Sequence, residues 1–419
     1  MVRLRQPKPR PGKKLNNLLV FSLYLLVLTA CTHPSAGHKL YDPAAVDFTV
    51  ACNPLFDNQL YPSLILATDN AQLQTPNSKL QTINFTVTAP ADACVLRIMA
   101  DSSSLNYVTI FQEVLPHRGQ TYSFPFSPKW KYDILRHMRQ ATSVDLTFHC
   151  YINDEQVDIE NLHVNCRSVN ECPLSLKNLD TRWLFAAYVN EDHPAIDQIL
   201  STILDQAIVP RFNGYQGTAR NVKDQVFAIW YYALNHGISY SSISCTSNAT
   251  ATANVQHIRF FDDVLNTRQA NCIDACVFFA SIMRKIGLKP VIFVEPCHAY
   301  LGYYTDKGRR HLELMETTIT SWVNFPQLER ALDGDGHLPQ DKLEKISKYL
   351  SANELQRWNK GRMTFEELKL TVARSLFEKA SEYNRETWEA NREHFADTAN
   401  RAYQQLDIER LRGMVQPIR

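Results

Sequence analysis

The sequence lacks an excess of positive charge. Its 419 residues contain 44 Lys and Arg against 43 Asp and Glu. Six of the basic residues and none of the acidic ones fall within residues 1–30, so removal of that segment would leave 38 basic against 43 acidic residues. Electrostatic binding of nucleic acid is therefore not predicted.

The sequence also lacks a clear transmembrane helix near its N-terminus, because the apolar run at residues 18–28 is too short to span a membrane. This run follows six basic residues and ends in "LTAC" at residues 28–31. The tetrapeptide resembles the lipobox of bacterial lipoproteins, which implies that residues 1–30 are a signal peptide and that Cys31 carries a lipid such as palmitate. An ordinary secretory signal is the alternative. Thr32 points, by the sorting habit of that family, to lipid anchoring at the outer membrane, facing the periplasm.

Ten cysteines are many for a reducing compartment, whereas an exported protein meets an oxidising one. With Cys31 acylated and Cys272 free, an even number remains, which suits disulfides of undetermined connectivity. The alternative is a scatter of buried free thiols. The eight remaining cysteines are Cys52, Cys94, Cys150, Cys166, Cys172, Cys245, Cys276 and Cys297.

After a linker at residues 31–45, residues 46–167 alternate apolar and polar positions in short runs separated by turn residues, as in "TINFTVTAP" at 82–90. This period of two predicts an antiparallel β-sandwich of roughly immunoglobulin size. The segment contains no catalytic cluster, so it is interpreted as a spacer or a domain that binds a partner protein.

Apolar residues then recur at helical spacing, and strand-like runs follow them within residues 178–335. Residues 340–419 are predicted to be helical and charged, with a capping box at Thr364 and Glu367, after which no Gly or Pro interrupts the predicted helix until Gly413. A helix that runs uninterrupted from Thr364 to Gly413 would form either a surface for a partner or a hairpin folded back on the preceding domain. The fold class is therefore predicted to be α+β.

The stretch "RQANCIDACVFFASIMRK" at residues 268–285 carries the first chemical signal. Asn271 is a good N-cap, Cys272 would be the first helical residue, and Asp274 falls at the third position. Free N–H groups at a helix N-terminus favour the thiolate, which is the nucleophilic form of cysteine. The carboxylate of Asp274 would oppose that effect if it turned towards the sulfur.

A predicted hairpin carries the second signal. "HAYLGYY" at 298–304 and "RHLELMET" at 310–317 are strand candidates around a tight loop, and pairing of Tyr304 with Arg310 would set His298 directly opposite Glu316. A carboxylate at that distance can orient an imidazole. The helix that begins at Cys272 is expected to cover this face of the hairpin.

Taken together, the stretch resembles the transglutaminase-like superfamily, a branch of the papain-like cysteine fold, over roughly residues 180–325. The matching elements are "NCID" at 271–274, "PCHA" at 296–299 and "ETT" at 316–318. The resemblance implies a papain/transglutaminase-like catalytic domain with Cys272 as nucleophile, His298 as base and Glu316 as third member. Many members have glycine before the nucleophile and Asp in the third role, whereas this chain has Asn271 and Glu316.

The expected chemistry needs no cofactor and no metal. The thiolate attacks an amide or ester carbonyl of a protein or peptide substrate, a thioester forms, and the acyl group passes to water or to an amine. Hydrolysis is favoured over transfer because no site for an acceptor amine is visible. The backbone N–H of Cys272 would supply one oxyanion donor, with Gln216 and Tyr240 as candidates for the second.

Two rival interpretations stand beside this one. Cys272, Cys276, Cys297 and His298 could bind zinc, although their spacing fits no common zinc module. Alternatively, the chain is a non-catalytic transglutaminase-like lipoprotein in which the β-sandwich or the C-terminal helix binds a partner.

Overall fold

The protein is represented by a computed structural model that describes residues 46–69, 80, 83–177, 179–242, 246–250 and 253–418. At the level of fold class the prediction is confirmed, because the chain is mixed α+β with several sheets and a helical C-terminal region. The predicted signal peptide and linker, with Cys31, lie outside the described residues, as does Cys245. Within the described ranges, no helix combines the length and the apolar character needed to cross a membrane.

The strands of the described residues form five hydrogen-bonded sheets. In chain order they are β1 (Phe48–Cys52), β2 (Gln59–Leu60), β3 (Ile83–Thr88), β4 (Cys94–Ala100), β5 (Thr109–Leu115), β6 (Thr121–Phe126), β7 (Thr142–Ile152), β8 (Glu155–Cys166), β9 (Glu171–Leu176), β10 (Leu179–Asp180), β11 (Ser239–Tyr240), β12 (Thr246–Thr250), β13 (Ala253–His257), β14 (Gln269–Ala270), β15 (Pro290–Glu295), β16 (His298–Tyr304), β17 (Leu312–Met315) and β18 (Gln404–Asp407).

Helices dominate the second half of the chain. They are α1 (Pro62–Thr68), α2 (Tyr132–His137), α3 (Phe185–Tyr188), α4 (Pro194–Asp205), α5 (Ala219–Asn235), α6 (Phe261–Thr267), α7 (Cys272–Lys285), α8 (Phe325–Arg330), α9 (Gln340–Ser347), α10 (Ala352–Asn359), α11 (Phe365–Tyr383), α12 (Arg385–Ala396) and α13 (Ile408–Leu411), with short 3-10 helices at Arg182–Leu184 and Thr317–Ser321.

The N-terminal segment forms two sheets, ordered β1-β3-β6 and β2-β8-β7-β4-β5. Alternate residues of β3 and β4 are buried, as the period of two predicts. Aromatic rings meet between the sheets, for example Phe126 of β6 and Phe148 of β7, whose centroids lie 5.6 Å apart. The pairings are antiparallel except for the short contact of β2 with β8, which is parallel.

The expected disulfides do not form among the described cysteines. Cys150 on β7 pairs with Asp158 of β8, eight residues from Cys166, which corresponds to about 27 Å along the strand. Cys94 lies four residues along β4 from Ile98, the strand partner of Cys150, so Cys94 and Cys150 are roughly 14 Å apart. A disulfide needs Cα atoms within about 7 Å. The free cysteines are Cys52, Cys94, Cys150, Cys166, Cys172, Cys272, Cys276 and Cys297.

The sheet ordered β17-β16-β15-β18 separates two apolar layers. Ala299, Leu301 and Tyr303 of β16 belong to the main core, together with the buried face of α7. On the other face, Phe395 of α12 packs against Phe293, with 5.3 Å between ring centroids. The prediction that α7 covers the face of His298 is therefore wrong, because that face of the sheet is filled by rings from the C-terminal region.

The C-terminal region folds back on this sheet, which confirms the hairpin interpretation. The predicted unbroken helix is interrupted at Asn384, so that α11 and α12 are separate helices. After α12 the chain forms β18, which pairs antiparallel with β15. The region is thus not purely helical, because its last strand extends the sheet.

The predicted register of the hairpin is wrong by two residues. Tyr304 faces Leu312 rather than Arg310. An even shift leaves every side chain on its predicted face of the sheet. Glu316, just beyond the end of β17, therefore approaches His298 diagonally instead of from directly opposite.

The loop between β16 and β17 explains the shift. Its Asp306 carboxylate accepts hydrogen bonds from the backbone N–H groups of Arg310 and His311, each at 3.0 Å. Arg309 takes a left-handed conformation with φ of 62°. These contacts hold residues 305–311 outside the ladder, so the loop is two residues longer than predicted.

Replacement of Gly302 by Ala should destabilise this sheet. A Cβ at Gly302 would lie 2.7 Å from Cε2 of Phe293, whose ring is held by Tyr300 and Phe395. Overpacking of this kind costs about 1–3 kcal/mol. Denaturant unfolding of Gly302→Ala should show that loss. The matched control is Gly334→Ala, because a Cβ there meets no atom within 4 Å; equal stability of both variants would contradict the packing argument.

Candidate active site

Cys272 is the first residue of α7, and the predicted N-cap is confirmed. The Asn271 side chain accepts a hydrogen bond from the backbone N–H of Asp274 at 2.8 Å, and the Asp274 carboxylate accepts one from the N–H of Asn271 at 3.0 Å. This capping box fixes where the helix starts. The half-buried thiol of Cys272 consequently lies in the first turn, whose N–H groups have no intrahelical partner.

The Asp274 carboxylate does not turn towards the sulfur. It is fully buried and accepts hydrogen bonds from the backbone N–H of Arg259 at 2.8 Å and from its Nη1 at 2.9 Å. Its negative charge is thus paired with a guanidinium. The carboxylate therefore anchors the segment before α6 to the start of α7 and leaves the electrostatics at the sulfur to other groups.

His298 connects the other two candidate residues. It opens β16, its ring lies beside the Cys272 side chain on the same cavity, and its Nε2 lies 2.8 Å from Oε2 of Glu316. Since Nε2 is occupied by the carboxylate, Nδ1 is the nitrogen available to the sulfur. Burial disfavours the charged ring, but the hydrogen bonds and charges of Cys272 and Glu316 outweigh burial and raise the pKa of His298 to about 10.

Glu316 is fully buried and hydrogen-bonded at both oxygens. Oε1 accepts from the backbone N–H of Thr318 at 2.9 Å and from its hydroxyl at 2.7 Å. Oε2 accepts from His298 and from Nδ2 of Asn384, the latter at 2.7 Å. Burial alone would raise the pKa of this carboxyl, but the hydrogen bond and charge of His298, with the bonds from Thr318, outweigh it and lower the pKa.

The structure thus brings Cys272, His298 and Glu316 together, whereas it leaves Gln216 elsewhere. A Cβ at Gly214 would lie 2.8 Å from the carbonyl oxygen of Ile286, so the segment that holds Gln216 packs at the C-terminal end of α7. The 14 residues of α7 span about 20 Å, and Cys272 is at the opposite end. Gln216 therefore lies away from Cys272, outside the lining of the cavity at that residue.

Tyr240, the other oxyanion candidate, lies closer to the nucleophile. β11 and β14 are parallel, and Tyr240 pairs with Ala270, two residues before Cys272. The Tyr240 side chain is 38% exposed and does not belong to the described lining of the cavity at Cys272. Its hydroxyl is accordingly not assigned to the cavity.

A cavity of about 390 Å³ opens beside Cys272 and His298. Sequence reasoning missed its polar residues because they come from distant strands and loops: Gln256 from β13, Glu295 from the end of β15, and Arg182. The remaining lining is largely apolar and consists of Leu174, Phe185, Ile273, Val294, Pro296, Cys297, Ala299 and Ala402.

Glu295 is a second carboxylate beside the imidazole. It pairs with His298 across the β15-β16 turn. Its pKa is raised by burial, with the charge of His298 lowering it and that of Glu316 raising it further. Cys297, in the same turn, is exposed and has a φ of 63°. The two residues form the rim of the cavity around His298.

The zinc interpretation finds no geometric support. The described part of the chain contains no group of three or more His, Cys, Asp or Glu residues arranged to hold a metal ion. Cys276 is fully buried one turn along α7, with its sulfur 4.0 Å from the hydroxyl of Thr317. Its burial raises the pKa of the thiol well above the ordinary value, as expected for a core cysteine.

Comparison of the chain with models of protein families and with curated proteins finds no match. The function is therefore argued from the geometry and chemistry of the side chains around Cys272.

The raised pKa of His298 should make folding stability depend on pH. Unfolded histidine titrates near 6.5 and folded His298 near 10, so between these values the folded chain holds one proton more and its stability falls as pH rises. The unfolding free energy of wild type minus that of His298→Gln should be largest below about pH 6.5 and shrink towards pH 10. In the wild type Glu316 stays ionised throughout that range, because His298 and Thr318 lower its pKa. A difference that does not vary with pH would contradict the assignment.

Proposed function

We propose that this protein is a cysteine hydrolase or acyl transferase that acts on amide or ester bonds through a thioester on Cys272. The observation that carries the proposal is the imidazole of His298, which lies beside the Cys272 side chain and is hydrogen-bonded to the buried carboxylate of Glu316. A nucleophile, a base and a group that orients the base are the general requirements of covalent catalysis by a thiol. We infer that residues 178–335 form a papain/transglutaminase-like domain around this triad.

The reaction begins with the thiolate of Cys272, which is favoured by the helix N-terminus and by the cationic ring of His298. Sγ attacks the carbonyl carbon and forms a C–S bond. The His298 ring gives its proton to the leaving amine or alkoxide as the C–N or C–O bond breaks, and a thioester remains. Water then loses a proton to His298 and attacks the thioester, which releases a carboxylic acid and restores the thiolate.

The developing oxyanion needs two donors. The backbone N–H of Cys272, in the first turn of α7, is one of them. We propose the side-chain amide of Gln256 as the second, in place of Gln216, because Gln256 lines the cavity beside Cys272. Gln256 is held in the wall by its own Nε2, which donates to the carbonyl of His257 at 3.0 Å.

The cavity supports a substrate with an apolar group next to the reacting carbonyl, because most of its lining is apolar. Hydrolysis of a protein or peptide is favoured over transfer. The proposed location is the bacterial envelope, with the chain anchored to the outer membrane through a lipid on Cys31 and facing the periplasm.

The second candidate function is a non-catalytic lipoprotein that binds a partner. One observation favours it: Ile110, Met99, His149 and Ile159 form a cross-strand row on the outer face of the larger N-terminal sheet, and its two end residues, Ile110 and Ile159, are 59% and 46% exposed. Exposed apolar side chains on one sheet face are typical of interaction surfaces. This function would not require a reactive thiol.

The two functions are separated by the reaction of the protein with p-nitrophenyl acetate. The proposed enzyme should release a burst of p-nitrophenol equal to the protein present and acquire one acetyl group on Cys272, as read by peptide mass mapping. Cys272→Ala should abolish the burst, because the nucleophile is gone. Cys297→Ser should keep it and excludes the exposed neighbouring thiol as the source.

Iodoacetamide labelling at about pH 6 gives the companion measurement. Cys272 should react far faster than the buried thiols, because burial raises the pKa of Cys52 to about 11 and those of Cys150 and Cys166 to about 12. Equal, slow labelling of all cysteines together with no acetyl burst would support the binding function instead.

Gln256→Ala should slow acetylation of Cys272 by p-nitrophenyl acetate roughly 10²–10³-fold, since one oxyanion donor is removed. Alkylation of the same thiol by iodoacetamide passes through no oxyanion and should keep its wild-type rate. The pair of rates therefore isolates oxyanion stabilisation from thiol reactivity. Parallel losses in both reactions would mean that Gln256 acts on the thiol or on the fold.

A further inference from the structure

The helix break at Asn384 places a buried polar side chain next to the triad. Asn384 separates α11 from α12 and is only 2% exposed. Burial of an amide is costly unless its polar atoms are hydrogen-bonded. The Asn384 side chain caps neither helix; its Nδ2 donates to Oε2 of Glu316 at 2.7 Å, the same oxygen that contacts His298.

A second bond ties the backbone of Glu316 to the same turn of α11. In an unbroken helix the carbonyl of Ala380 would accept from the N–H of Asn384. Here the N–H of Asn384 turns to the carbonyl of Glu382, and the carbonyl of Ala380 accepts from the N–H of Glu316 at 2.8 Å. The break in the helix therefore frees one acceptor and supplies one donor, and both bind Glu316.

We propose that Asn384 is a positioning residue for the catalytic triad: its amide holds the Glu316 carboxylate ionised and aimed at His298. The C-terminal helices are then part of the catalytic apparatus and not an appended partner surface. This inference rests on the proposed function, because it assigns Asn384 a role in the same reaction.

The proposed role follows from the number of hydrogen-bond donors that stabilise the fully buried charge of Glu316. Glu316 has four hydrogen bonds to its two oxygens, and two of them share Oε2. Loss of the Asn384 donor leaves the charge less stabilised, so the carboxylate takes up a proton at higher pH and ceases to hold the imidazolium. The thiolate of Cys272 then loses its cationic neighbour.

The other titratable groups that face this pair come from three elements. These groups interact electrostatically with Glu316, with His298 or with both, and all of them are retained in the variants described below. They are Cys272 and Cys276 from α7, Glu295 from β15, and Tyr300 from β16.

The test measures the rate of Cys272 alkylation by iodoacetamide against pH in the full chain. Asn384→Leu removes the donor, and Asn384→Asp replaces it with a second carboxylate of the same size. In both variants the acid limb of the profile should move up by about one pH unit, so that the rate at a given pH on that limb falls about tenfold. The matched control is Asn391→Asp on α12, whose side-chain amide donates to the carbonyl of Thr387 within the same helix and which should follow the wild-type profile.

Profiles of Asn384→Leu and Asn384→Asp that superimpose on the wild-type profile, with both proteins folded by circular dichroism, would overturn the inference and leave Asn384 a structural residue. If both variants fail to fold, Asn384→Ser provides the test, since it keeps a short polar side chain but lacks Nδ2. The His298 Nε2–H proton, followed by NMR, should exchange with water faster in Asn384→Ser than in wild type. Unchanged exchange would equally overturn the role.

Failure of this inference is distinguishable from failure of the proposed function. If the wild-type thiol loses its reactivity at acidic pH, Cys272 and His298 form no thiolate–imidazolium pair. That result would contradict both the positioning role and the proposed function. Acid-stable reactivity of the wild type that the Asn384 variants retain contradicts only the positioning role. Acid-stable reactivity that those variants lose, without an acetyl burst in wild type, supports the positioning role and contradicts acyl chemistry.

Discussion

Four hydrogen bonds converge on the carboxylate of Glu316, which has no exposed surface. A buried charge persists only where donors replace water. These donors come from β16, from the 3-10 helix after β17 and from the junction of α11 with α12. The hydrogen bonds that stabilise this one carboxylate thus link the sheet ordered β17-β16-β15-β18 to the C-terminal region. The orientation of His298 depends on that link.

Cys272 is positioned by a separate set of contacts. Asn271 and Asp274 close the capping box that starts α7 at Cys272, and Arg259 neutralises the buried Asp274. Cys272 consequently lies at a helix N-terminus and beside the imidazole of His298. Both favour the thiolate. Because the two supports are independent, the proposed chemistry requires that helix and sheet keep their relative placement.

Local patterns predicted the helix start, the two β-strands of the hairpin and the choice of Glu316, because capping and alternation are properties of neighbouring residues. The register was wrong by two because side-chain contacts within the loop, at Asp306, were not legible from turn residues alone. The even size of the error preserved the face of Glu316. Gln216 failed as a candidate because nothing local reveals which end of α7 a distant loop will meet.

Short-range geometry, which is readable from neighbouring residues, fixes where α7 begins, which strand carries His298 and which face of the hairpin carries Glu316. The packing of distant elements determines three further features: Asn384 and Ala380 bind Glu316, Gln256 lines the cavity, and the described cysteines stay apart. Those contacts join residues far apart in the chain, such as Glu316 and Asn384. Their pairing depends on how whole elements pack, because the order of residues along a helix or strand specifies its faces but not its neighbours.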